Sequence, residues 1–132
     1  MKNIINTIQI VLIAIGGYVG YFLGGVDGFL YALIAFVIID YLTGLMAAVI
    51  EKKLSSEIGF KGIFRKLLIF LLVAVANIID DNLIGSGSAI RTAVIFFYLS
   101  NEGISIIENS SRIGLPIPEK LKNVLEQLKE KA

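Results

Sequence analysis

Residues 3–26, NIINTIQIVLIAIGGYVGYFLGGV, run for 24 positions without a charged side chain. A helix needs about 20 predominantly apolar residues to cross the hydrocarbon of a bilayer. This stretch therefore predicts a first span over about residues 5–24. The rest of the chain repeats the signal. A break at Asp27-Gly28 leads to a second apolar run over about 29–50, interrupted once by Asp40. A charged stretch follows, holding Glu51, Lys52, Lys53, Glu57 and Lys61. A third run covers about 63–84, with Arg65 and Lys66 in its first turn and Asp80 and Asp81 in its last. Gly85-Ser86-Gly87-Ser88 has turn composition. A fourth, weaker run covers about 89–107 and contains Arg91 and Glu102. Pro116 and Pro118 then precede a short polar helix over about 119–131. The expected fold is an all-α integral membrane protein: a four-helix transmembrane domain over 1–110 and a tail helix within 111–132.

Composition excludes most other classes. Of 132 residues, 56% are hydrophobic and 17% charged, and the mean hydropathy is +0.82. Soluble domains carry about a quarter charged residues, and disorder requires low hydrophobicity. A net charge of +1 gives no basic footprint for nucleic acid. Cysteine and histidine are both missing, so disulfides, thiolate metal sites and histidine-based catalysis fall away. No phosphate-cradling glycine loop occurs, and no cofactor is expected. An enzyme is not the expectation.

Lysine and arginine placement sets the expected orientation. With four spans, both termini and the middle loop share one side. That side carries 11 of the 12 basic residues, and only Arg91 lies opposite. The expectation is a bacterial cytoplasmic membrane protein with both termini inside. The first apolar run is too long for a signal peptide and lacks a small-residue cleavage site, so it is expected to stay.

Several constellations are candidates for function. Gly16, Gly20, Gly24 and Gly28 recur every four residues. Such small-xxx-small spacing lets helices approach closely in a membrane, either as a seam between subunits or within one. Asp40 sits mid-span, where a carboxylate must be paired, wetted or protonated. It lines a pore or relays protons, or it holds the bundle by a buried hydrogen bond. Asn77, Asp80 and Asp81 share one side of span three, and the economical partner for Arg91 is Asp80 or Asp81. On span four, Arg91, Tyr98, Glu102, Ser105 and Asn109 form one stripe, with Asn101 beside it. That stripe faces water, or it forms a seam against Asp40 and Asn77. Leu121, Val124, Leu125 and Leu128 have amphipathic spacing in the tail, and a helix that short needs a partner.

Five strings stand in order: Asp40-Tyr41-Leu42-Thr43-Gly44; Gly59-Phe60-Lys61-Gly62 leading to Lys66; Arg91 to Tyr98; Asn101-Glu102-Gly103-Ile104-Ser105; and Gly114 to Leu121. Together they resemble the phage lysis and clostridial toxin-secretion holin family over about residues 29–129. The resemblance implies a small protein of the bacterial membrane that oligomerises and opens lesions for an endolysin or a toxin, without enzymatic activity or cofactor. Its implied partners are the lipid bilayer, further copies of itself and, functionally, an endolysin, toxin cargo or antiholin. Two alternatives stay open: a small proton-coupled four-span transporter using Asp40, and an antiholin-type regulator.

Overall fold

The computed structural model describes residues 1–131. The side chains of Lys129 and Lys131, and Ala132 at the end of the tail, lie outside the described residues. The described residues form five α-helices: α1 (Lys2–Phe22), α2 (Gly28–Ile50), α3 (Ser56–Ile78), α4 (Ala89–Ile113) and α5 (Glu119–Lys131). Residues Ile79–Ile84 continue α3 as a π-helical turn. Four helices, α1 to α4 with the π-turn included, are long and apolar enough to cross a membrane.

Local chemistry explains each boundary. α1 stops at Phe22 because Gly24 and Gly25 take φ of +93° and +96°, a region that glycine enters without steric cost. Span one thus ends before Gly24, and Gly24 and Gly28 do not share a helix with Gly16 and Gly20. Asp27 caps α2 by accepting from the Leu30 N–H at 2.9 Å. Ser55 caps α3 through the Ile58 N–H at 3.2 Å, and Glu57 follows in the first turn. Those two residues start α3 about two turns before its apolar run. Lys66 therefore sits well inside the helix rather than in its first turn. α4 likewise continues past residue 107, through polar residues, to a left-handed Gly114 with φ +100°.

α4 is the central element, packed against α2, α3 and α5. The core is Leu30, Leu33 and Val37 of α2, Ile69, Val73 and Ala74 of α3, and Ile95 and Leu99 of α4. In a bilayer such a core is held by close packing rather than by expulsion of water, because lipid tails are as apolar as leucine. The outward leucines and isoleucines of α2 and α3, such as Ile38, Leu67 and Leu71, remain exposed. α1 stands largely apart: of its residues only Gly20 is buried. A methyl group at Gly16 would meet nothing within 4 Å.

Candidate functional site

Polar groups collect in two layers of the bundle. The first lies where the α1–α2 loop meets the start of α4. Arg91 is almost wholly buried. Its Nε donates to the Leu23 carbonyl at 2.6 Å and its Nη2 to the Gly25 carbonyl at 2.8 Å. Its Nη1 pairs with the Asp27 carboxylate at 2.8 Å. That guanidinium holds the Asp27 carboxyl below its ordinary value. Asn77 also serves this loop, donating to the Phe22 carbonyl at 3.4 Å.

The expected ion pair of Arg91 with Asp80 or Asp81 is therefore corrected. Asp80 accepts the backbone N–H groups of Ile90 and Arg91, at 3.1 and 2.8 Å. Ser88, at the N-cap position of α4, makes no side-chain cap. Asp80 fills that role from another element, and its negative charge suits the helix N-terminus. The Arg91 guanidinium is left to the carbonyl-rich loop. Asp81, expected beside Asp80, is exposed. The wider π-turn that begins at Ile79 breaks the α-helical spacing on which that expectation rested.

The second layer lies deeper, between α2, α3 and α4. Lys66 Nζ bridges two carboxylates, donating to Asp40 Oδ2 and, at 2.7 Å, to Glu102 Oε2. Asn109 Nδ2 donates to Asp40 Oδ1 at 2.9 Å, to the Asp40 carbonyl at 3.2 Å and to Thr43 Oγ1 at 3.1 Å. Gly44, one turn past Asp40, faces Asn109: a methyl there would lie 3.6 Å from its Nδ2, an ordinary contact. Asp40 thus faces protein, as its neighbours Thr43 and Gly44 imply. Among the described residues, no buried side-chain polar atom lacks a partner.

This layer forms the floor of an open cleft of about 670 Å³. Tyr98, Asn101 and Ser105 of α4 line it beside Asp40, Lys66 and Glu102. One end carries Lys53 and Arg112, and Arg65, beside Lys66 on α3, also lines it. Arg112 there makes a two-pronged pair with Glu51, Nε to Oε1 and Nη2 to Oε2, each 2.8 Å. Arg112 also holds the Glu51 carboxyl below its ordinary value. The stripe expected on α4 is split in use: Arg91 belongs to the first layer, and Tyr98, Glu102, Ser105 and Asn109 belong to the second. Asn77 lies apart from Asp40.

Lys66 and Asp27 complete these layers without having been candidate site residues in the sequence, whereas Thr43 lies on the face of Asp40 where the sequence placed it. Lys66 was discoverable by charge balance. Two carboxylates inside spans require a cation, and Lys66 is the basic residue nearest the apolar run of span three. Among the described residues, no group of three His, Cys, Asp or Glu side chains is placed to hold a metal ion.

A short multi-helix membrane protein with charged groups between its spans and an open cleft is the class these features define. The model of the bacteriophage holin family matches residues 17–130, and the chain belongs to that family. It is 42% identical to an uncharacterised 14.9 kDa protein of Clostridium perfringens over 99% of both chains. It is 46% identical to an uncharacterised protein of Listeria monocytogenes, over 86% of this chain and 81% of that one. A probable holin of Bacillus phage phi105 is 39% identical over 74% of this chain and 71% of its own. No solved structure matches it.

Proposed function

We propose that this protein is a holin, which oligomerises in the bacterial cytoplasmic membrane and opens lesions for an endolysin or a toxin. The observation that carries the reading is the cleft between α2, α3 and α4, which has charged groups at its floor inside membrane-spanning helices. Charges at such depth are rare, and they mark water-filled paths or partner contacts. Family membership supports the same reading, as does the name probable holin given to a phage relative.

In this reading both termini are cytoplasmic, following the bias of lysine and arginine. The Glu51–Arg112 end then faces the cytoplasm and the Arg91 layer faces outward. Tyr98, Asn101 and Glu102 line water in the assembly, with Asp40 and Lys66 beneath them. Asn77, Asp80 and Asp81 shape the outer end. α1, with its open Gly16 face, joins neighbouring copies; Gly20 is covered by Val26, 3.0 Å from a methyl added there, and stays within the subunit. Gly24 serves the loop at Arg91 instead. The protein performs no chemistry and needs no cofactor; its functional partners are an endolysin or toxin and, where present, an antiholin. The carrier reading loses support because Asp40 is engaged by Lys66 and Asn109 rather than free to bind substrate.

Inducible expression in a bacterium, with dyes of graded size outside, tests the function. Abrupt dye entry at a defined time is expected, and the largest dye admitted bounds the lesion. Membrane accumulation without entry refutes it.

A further inference from the structure

α5 packs where a bilayer cannot tolerate it. Leu125 is buried over Gly103 in the middle of α4. A methyl group added at Gly103 would lie 2.7 Å from one Leu125 methyl and 3.1 Å from the Phe36 ring. Gly103 lets Leu125 and Phe36 close over this spot, where an added methyl would push the end of the Leu125 side chain aside. Gly103 is twelve residues beyond Arg91, about 18 Å along the helix axis. Hydrocarbon is about 30 Å thick. With Arg91 at one boundary, the Leu125 contact lies well short of the other. Yet seven of the thirteen residues of α5 are charged, and Lys122, Glu126 and Glu130 point outward, exposed. Such side chains are not accommodated against acyl tails.

Docked α5 and a fully inserted α4 thus exclude each other. The connection between them can carry the exchange. Residues 114–118 begin with a left-handed Gly114 and contain two prolines, so they continue neither helix. Among the described side chains of α5, Leu125 is buried and Leu128 partly so, while Leu121 and Val124 stay about half exposed.

We propose that α5 is a detachable strap, held by Leu125 over Gly103, which keeps the C-terminal half of α4 out of hydrocarbon until it is released. The proposal rests on the reading of α4 as membrane-crossing, and its test is read by insertion, separately from lysis. The chain has no native cysteine, so single cysteines report cleanly. Glu108 is exposed on α4, seventeen residues and about 26 Å beyond Arg91, and so passes inside the far hydrocarbon boundary, by about 4 Å, on full insertion.

The full chain carrying Glu108→Cys is reconstituted in vesicles of phosphatidylcholine and phosphatidylglycerol. A lipid-insoluble maleimide is present on both faces. Undocking α5 with Leu125→Asp is expected to slow labelling at least tenfold. Gly103→Ala, which crowds Leu125 without adding charge, is expected to act in the same direction and stands in if Leu125→Asp fails to fold. Equal labelling rates in the parent and an undocked, folded variant overturn the strap. In a separate chain, a disulfide between Gly103→Cys and Leu125→Cys should abolish dye release, and a reductant should restore it. A locked chain that releases dye like its reduced form also overturns the proposal. If no chain releases dye, the lesion reading falls, while the labelling comparison still decides the strap.

Discussion

Lys66→Met is the substitution with the most informative consequence. Lys66 is the cation bridging Asp40 and Glu102, and the three side chains are only 16%, 10% and 10% exposed. Removing it leaves two carboxylates side by side with no counter-charge. Breaking a buried charge network by deleting one partner costs about 3–5 kcal/mol. The floor opens on the cleft rather than being fully enclosed, which places the expected loss at the lower bound, about 3 kcal/mol. That is about two decades in the folding equilibrium. The companion variant removes all three charges together: Asp40→Asn, Lys66→Met and Glu102→Gln. The amide oxygen at position 40 can still accept from Asn109, and no unpaired charge remains, so its expected loss is about 1 kcal/mol or less. Unfolding in dodecyl maltoside micelles by added dodecyl sulfate, followed by far-ultraviolet circular dichroism, measures both. If the triple variant is no more stable than Lys66→Met alone, the cost is not electrostatic and the reasoning fails.

The Arg91 layer gives four further expectations. Arg91→Lys should lose about 2–3 kcal/mol in the same unfolding assay, because an ammonium cannot reach the Leu23 and Gly25 carbonyls and Asp27 in one fork. Asp27→Asn keeps the α2 cap and loses only a half-exposed ion pair, so it should cost under about 1 kcal/mol; equal losses would show that the charge pair, not the carbonyls, dominates. Gly24→Ala should cost more than Gly25→Ala: both have positive φ, worth about 1–2 kcal/mol, but only at Gly24 does the added methyl strike Arg91, 2.5 Å from its Nε. The carboxyl of Asp27 has a folded value below its ordinary 3.8, so its stabilisation is complete above that ordinary value and is lost as pH falls through the folded one. At 45% exposure the effect is small, and Arg91→Ala should flatten the acid limb of a stability–pH curve.

The four apolar helices were legible because hydrophobic length is a strong signal and each run is bounded by charge. The helix ends were less so. Apolar runs report where hydrocarbon is suitable, whereas caps such as Ser55 and stops such as Gly114 decide where the helix begins and ends. That difference displaced Lys66 in the reading of span three, and with it the cation of the inner layer. Asp40, Glu102 and Asn109 were found as polar groups in apolar surroundings, but their mutual contact is a matter of helix rotation and register, which one sequence does not encode locally. Asp80 was found and its partner misassigned. An aspartate near a helix start has two good uses, pairing with a cation or capping N–H groups. The π-turn that settled the choice has no clear mark in residues 79–84.

The two polar layers differ in how they are sealed, and this bears on where a lesion of the proposed kind has to break. The inner layer already opens on the cleft, so water there costs little new exposure. The outer layer is shut: Arg91 is spent on three acceptors, and Asp80 on the N-terminus of α4. Between the layers lie Leu30, Leu33, Val73 and Ile95, all fully buried. Eleven residues of α4 separate Arg91 from Glu102, about 17 Å of helix, and this is the dry part of the bundle. A continuous water path through one subunit would have to unpack that core and free Arg91 as well. A path between subunits needs only that the cleft side of each α4 turn toward its neighbours, leaving the core and the Arg91 clamp intact. For a lesion of the proposed kind, the second would therefore cost less, with the Arg91 layer as the fixed end about which the helices would reorient.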